Sequence, residues 1–250
     1  MNKFLCFIFL LTASVTHAQN IFISSGKIEF EKKVNMYKEL ESFSSDGNSW
    51  IAQMKKMMPQ YNTTYFDLYF DTSKTLYKPG KVVTTPGMKM PEWFQGTATN
   101  NVVYDDFTNG QMTSQKNIYE NTYLVTDSLR NIEWKMTSEM REIAGFQCHR
   151  AETIIMDSIY IIAFYTDQII PSGGPESIHG LPGMILGMVI PRMHATWFAT
   201  GVQVTGIKPE IIQAPQKGKK VSNKELYRQL QSAMKDWGNM GQRNIWLALF

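Results

Sequence analysis

Between residues 61 and 165 the chain passes through a succession of short segments in which large apolar residues alternate with polar ones, and no long helical pattern separates them. This succession constrains the fold more than any other feature. A period of two sends every second side chain to one face of a pleated strand, and strands that follow one another directly close as antiparallel neighbours. In TTYFDLYFD, Tyr65, Asp67 and Tyr69 alternate with Phe66, Leu68 and Phe70. SKTLYKP follows an Asp71-Thr72 turn. NNVVYDDF and QMTSQKNIYENTYLVTD are divided by Asn109-Gly110, a strong hairpin signal. NIEWKMT, GFQCHRAETIIMD and IYIIAFYT continue the series. The expected fold class is mainly β, an antiparallel meander forming a curved sheet or half-barrel.

The flanks add helices. KIEFEKKVNMYKEL (27–40) begins with Ile28, Phe30 and Lys32 on one side, a strand signal. In SSDGNSWIAQMKKMMPQ (44–60), Trp50, Met54, Met57 and Met58 recur at helical spacing until Pro59, which predicts a short helix inserted between the first strands. Near the other end, HATWFATGVQVTGIK reads as one more long strand and APQKGKK as a basic loop. Ser222 with Glu225 three residues on forms a capping box. Behind it Leu226, Leu230, Ala233, Met234 and Trp237 share one face, so an amphipathic helix is expected at about 223–237, closed by Gly238 and packed on the sheet. The apolar NIWLALF terminus is too short to span a bilayer and reads as a final docked strand, with an address signal for envelope sorting as the alternative.

The first residues, MNKFLCFIFLLTASVTHAQN, have the form of a leader. Lys3 supplies a positive start, Phe4 to Leu11 a short apolar stretch, and Thr16-His17-Ala18 small residues for cleavage after Ala18. The expected organisation is a signal peptide at 1–18 and a single domain at 19–250, exported to the periplasm or beyond, with no transmembrane segment in the mature chain. Cleavage removes Cys6 and leaves Cys148 alone, which reads as a buried small hydrophobe. The net charge of +3 on 250 residues, without a stripe of Lys and Arg interleaved with aromatics, gives no footprint for nucleic acid.

GPESIHGLPGMIL (174–186) concentrates three glycines and two prolines. Leu181 precedes a proline and is held extended, and Pro182-Gly183 suits the centre of a type II turn. Gly180 permits close backbone approach, and Gly173-Gly174-Pro175 makes a second bend. A phosphate loop needs a Lys/Thr ending and a following helix; here a strand, MILGMVI, follows instead. The residues Gly174, Pro175, Gly180, Leu181, Pro182 and Gly183 therefore read as structural corners.

With its surroundings this stretch resembles the GLPGLI family of exported bacterial proteins. LYFDTSKTLY, IEWKMTSEMREIAGFQCHRAET and AFYTDQIIPSGGPESIHGLPGMIL carry the matching motifs in order, over about 61–226. Met184 stands where Leu is usual, Phe164 where Trp is common, and His149 where Lys is frequent. The family has no settled activity, so the resemblance implies location and fold rather than a reaction.

Three function classes are open to such residues. The favoured expectation is non-catalytic: binding or carriage of a hydrophobic ligand, peptide or envelope partner in the concave side of the sheet, lined by Tyr, Trp and Met, without a cofactor. The alternative is copper handling by Cys148, His179, His194, Met54, Met57 and Met58, with Met88 and Met90 adding to the thioether supply. Adjacent Cys148 and His149 face opposite sides of a strand, which weighs against a shared ion. The third is an envelope hydrolase using Ser172, His179 and Asp167, but no G-x-S-x-G elbow is present. Asp105 and Asp106 also face apart and read as a turn or edge.

Overall fold

A computed structural model of the protein describes residues 22–43, 49–83 and 97–250. The leader with Cys6 and Ala18, and Met88 and Met90, lie outside the described residues. Within them the molecule is mainly β: twelve strands form one open, mostly antiparallel sheet, with a short N-terminal helical insertion and C-terminal helices. The strands are β1 (Gly26–Asn35), β2 (Tyr61–Phe70), β3 (Lys74–Pro79), β4 (Val102–Asp106), β5 (Gln111–Ile118) and β6 (Asn121–Ser128), then β7 (Lys135–Ile143), β8 (Phe146–Ile155), β9 (Ile159–Thr166), β10 (Met184–Ile190), β11 (Ala195–Gln203) and β12 (Lys219–Val221). The helices are α1 (Met36–Phe43), α2 (Ser49–Met57), α3 (Asn223–Ala233) and α4 (Gly238–Leu249).

The strand order is β12-β6-β5-β4-β3-β2-β1-β11-β10-β9-β8-β7. Two meanders, β1 to β6 and β7 to β11, are thus joined where β1 pairs antiparallel with β11. Chain connectivity forces curvature on this array. Ten strand spacings separate β6 from β7, about 48 Å if the sheet were flat. The link from Ser128 to Lys135 reaches about 25 Å at most. The sheet must therefore curl, which is the curved architecture that the alternation predicts.

Several elements depart from the sequence reading. Residues 111–127 are not one strand but the hairpin β5–β6, turned at Tyr119, whose φ is +53°. The N-terminal insertion holds two helices rather than one, because β1 stops at Asn35 and Met36–Phe43 coils. Met36 and Leu40 then pack with Ile51 and Met58 in a satellite core. The capping box is present, with Glu225 N–H donating to Ser222 Oγ at 3.2 Å. The helix it starts ends at Ala233, and Gly238 opens a second helix instead of closing the first. NIWLALF belongs to that helix and is not a strand. Its apolar residues are used on two sides: Ile245 and Ala248 meet α3 and β6, whereas Trp246 and Leu247 meet the main core. Within the basic loop, Lys219–Val221 pairs parallel with β6 as β12.

Register places the inner face. Ile28, Leu68, Tyr77, Val103 and Ser114 lie opposite one another across β1 to β5. A neighbouring row runs Thr64, Lys32, Trp197, Met188, Ala163 and Ala151 from β2 to β8. The main core lies on this concave side, and the β9–β10 segment 167–183 runs through it: Ile169, Ile178 and Leu181 are fully buried. Phe250, at the end of α4, is buried in the same core.

Candidate functional site

The β9–β10 segment reaches the interior through tight bends. Gly183 N–H donates to Leu181 O at 2.7 Å, so Pro182 sits in a three-residue bend, while Met184 N–H is taken by Ile169 O instead of closing a type II turn. Gly183 has φ +136°, and a Cβ there lies 2.1 Å from Thr166 O, which only glycine avoids. Gly180, at φ +93°, would place a Cβ in ordinary contact with the Trp134 ring, 3.6 Å from its Nε1, so the dihedral rather than crowding is what favours glycine there. Gly174, Pro175 and Leu181 are buried along the same path. Between the bends, Ile178 N–H donates to Pro175 O at 3.3 Å and Glu176 takes φ +56°. A buried non-glycine residue in the left-handed region is uncommon and strained.

Glu176 is the residue that sequence reasoning passed over. Its side chain is 3% exposed and accepts from Lys32 Nζ at 3.4 Å and from Asn101 Nδ2 at 2.9 Å. Around it the inner face of the sheet is polar where the rest is apolar. Lys116 from β5 and Asp105 from β4 are each 1% exposed, and Ser114 is fully buried. Among the described residues, Lys116 Nζ, Ser114 Oγ, Asn101 Oδ1 and Asp105 Oδ1 have no hydrogen-bond partner. Lys32 also lies 4.7 Å over the Trp197 ring. Asp106 serves the β4–β5 turn, accepting from Asn109 N–H at 3.0 Å, but Asp105 is neither turn nor edge. β4 lies between β3 and β5, so its inward side chains enter the core.

The surroundings displace several protonation equilibria. Burial raises the Asp105 carboxyl to about 7, opposed by Lys116. Burial lowers Lys116 to about 8; Glu176 opposes this and Arg130 and Lys32 add to it. Tyr77 is pushed well above its ordinary value by burial and then by Glu176, with Trp197 opposing. His179 falls to about 4 through burial and the Arg130 charge, and its Nε2 has no hydrogen-bond partner among the described residues. Clusters of displaced groups occur at functional sites and also in structural ion networks. Here the side chains are closed off from bulk water, and only Lys32, Glu176 and Asn101 are joined by hydrogen bonds.

α4 closes the mouth of the curl. Ser177 Oγ donates to Phe250 O, Arg130 donates to Leu249 O at 2.9 Å, and Thr97 Oγ1 donates to Asn244 O at 3.3 Å. Arg243 pairs with Glu39 of α1, a buried carboxyl raised to about 6 by desolvation against the pull of Arg243. Beneath, a cavity of 50 Å³ remains between Lys32, Thr64, Trp197 and Leu247. That is far below the 300–1,000 Å³ of ordinary ligand pockets.

The other candidate residues stay apart. Cys148 is fully buried on β8 and its thiol is pushed up to about 12 by burial. His179 packs edge-on to Phe107 inside the curl, and His194 caps the β10–β11 turn at φ +49°. Met58 fills the satellite core, Met54 lies against it, and Met57 is 71% exposed. Among the described residues no three His, Cys, Asp or Glu side chains gather as a metal set. For the hydrolase arrangement, Gly180 N–H donates to the Ser172 main-chain oxygen, and among the described residues no hydrogen bond joins Ser172 to His179. No helix in the described residues is long and apolar enough to cross a membrane.

Comparison with known proteins bears on this geometry. The model of a family described as "Protein of unknown function (Porph_ging)" matches residues 152–187, the stretch that runs from β8 through the buried segment into β10. No curated protein matches the sequence. Among solved structures, PNGF-II in its P21 crystal form is similar with a TM-score of 0.50 and 16% identity, over 79% of this chain and 32% of that one. The C2 form gives 0.51 and 16%, over 88% and 33%. The chain thus spans about a third of the length of PNGF-II. An uncharacterized conserved protein from Thermus thermophilus is similar at a TM-score of 0.39 and 8% identity, over 81% of this chain and 92% of that one. At 16% identity the likeness to PNGF-II shows the fold alone.

Proposed function

We propose that the protein is an exported, non-catalytic binding module of the bacterial cell envelope, of the GLPGLI type, that engages an extended peptide segment of an envelope partner. The observation that supports this reading is the contrast between a filled interior and a free edge. The concave side, the natural seat for a hydrophobic ligand, is occupied by the chain's own 167–183 segment and Phe250. By contrast, β7 is the terminal strand of the sheet and, among the described residues, is paired on one side only. Its residues from Lys135 to Glu142 are exposed or half-exposed, with Met136 and Met140 about half exposed.

An unpaired strand offers main-chain donors and acceptors to an added strand, and pockets for alternate side chains supply the choice of partner. Methionine adapts to varied apolar partners. The register break between Met136 and Met140, with Glu139, Arg141 and Glu142 around it, disfavours indiscriminate pairing. The test is selection of peptides from a random library on the purified protein, followed by amide exchange with the selected peptide bound. Slowed exchange along 136–142, lost in Ser138→Pro, supports the reading. Protection confined to the rim formed by Val34 and Leu247 overturns it in favour of ligand carriage in the curl.

A further inference from the structure

A second concavity borders α4 and shares Arg243 with the small cavity beside Lys32, but it is built from different chemistry. Four separate segments meet there: the end of α1, the β8–β9 turn, the β10–β11 turn and α4 from Asn239 to Trp246. They border a half-open groove of about 470 Å³, a volume within the range of small-molecule sites. The walls hold two guanidinium groups, from Arg192 and Arg243, together with Asn239, Gln242, Ser158 and the Trp246 ring, and among the described residues no carboxylate lines it. The nearest acidic side chain of the β8–β9 turn, Asp157, lines the neighbouring cavity with Arg130 and Glu133 instead.

The two arginines are held rather than free. Arg192 lies 4.7 Å over the Trp246 ring and donates to Ser158 O at 3.2 Å. One bond of its five-donor fork is used in this way, and stacking on the ring orients the guanidinium plane of this exposed residue. Arg243 is fixed by Glu39. The groove therefore presents a pre-oriented positive fork beside two amides, a hydroxyl and an aromatic surface. A fork of this kind matches a carboxylate or phosphate group, while amides and hydroxyls suit a ring of neighbouring hydroxyl groups.

We propose that the groove between α4 and the β8–β9 and β10–β11 turns binds a small acidic sugar, with Arg192 taking its carboxylate or phosphate and Asn239 and Gln242 reading its hydroxyl groups. This site does not depend on the β7 edge, and the failure of one leaves the other standing.

The experiment is isothermal titration of the purified protein with D-glucuronate, D-glucose 6-phosphate and D-glucose, at low and at moderate salt. The two acidic sugars carry the same charge requirement from different sources, and glucose carries none. Both acidic sugars, or one of them, bind at least ten-fold more tightly than glucose, and added salt weakens them. Arg192→Ala reduces that affinity to the level of glucose, and Arg192→Lys, which keeps the charge and loses the fork, recovers part of it. Lys78→Gln, on a distant strand, changes nothing. Thermal melts establish that each variant is folded, and Gln242→Ala supplies a second groove variant if Arg192→Ala is not. Equal affinity for glucose and both acidic sugars, or undiminished binding by a folded Arg192→Ala protein, overturns the proposal.

Discussion

Lys32 and Glu176 lie 144 positions apart in the chain and meet with Nζ 3.4 Å from Oε1, their side chains 8% and 3% exposed. The pair ties the central strand to the segment threaded through the concave side. Breaking one partner leaves the other charged and buried, and such losses cost about 3–5 kcal/mol. Glu176→Ala is expected to fall in this range in urea unfolding. Lys32→Met combined with Glu176→Leu is expected to recover much of it, because neither charge then remains. An additive loss in the double variant contradicts a coupled pair.

Asp105 makes stability depend on pH. Its folded-state value of about 7 lies above the ordinary 3.8 through burial, so the stability it contributes is present below about pH 4 and is lost as pH rises through 7. Asp105→Asn removes that loss. The variant is expected to melt higher than the parent at pH 8, by an amount on the order of 2–4 kcal/mol, and to match it near pH 4. A variant less stable than the parent at pH 8 shows that the Lys116 attraction outweighs desolvation.

His179 acts in the opposite sense. Its value is depressed to about 4, so the unfolded chain takes up a proton before the folded one does. The stability it contributes is present above about pH 6.5 and is lost as pH falls toward 4. His179→Phe is expected to flatten the acid limb of the melting-temperature profile in that window. An unchanged slope assigns the limb to other groups.

Gly183 and Gly201 form a matched pair for testing the bend. A Cβ at 183 meets Thr166 O at 2.1 Å and must adopt φ +136°, whereas no described residue lies within 4 Å of one at 201. Gly183→Ala is expected to abolish soluble folded protein, and Gly201→Ala to leave the melting temperature within about a degree or two. Soluble expression with a cooperative melt is the readout.

The thiol of Cys148 is fully buried and held at about 12. Peptide mapping after treatment with a thiol reagent at pH 8 is expected to find Cys148 unmodified in the native protein and modified in urea. Native labelling within minutes shows that β8 opens far more readily than its burial implies.

Which of these features the sequence discloses depends on how local their causes are. β2 is legible because Phe66, Leu68 and Phe70 alternate with polar partners, and the β4–β5 turn is legible because Gly110 sits at φ +63° where glycine is favoured. The β5–β6 turn is hidden because a tyrosine occupies its left-handed position, so tertiary pairing overrides turn chemistry. The helix at 238–249 is hidden because it contacts two cores and shows no single apolar stripe. Glu176 is hidden for a different reason: its partners Lys32 and Asn101 are 144 and 75 residues distant. A trace of it exists all the same. The alternation that puts Ile28 and Phe30 inside also puts Lys32 inside, and a buried lysine calls for a carboxylate.

The junction of β1 with β11 sets a condition on the order of assembly. β1 receives β2 within some 35 residues of chain, but its other edge waits for Ala195–Gln203, about 170 positions later. At ordinary elongation speeds of 5–20 residues per second this is roughly 10–30 s during which a strand destined for the centre of the sheet is exposed along one side. Contacts this remote also slow the final search, since a long loop must close before any pairing rewards it. A chain built in this way gains from meeting a chaperone before it meets another copy of itself.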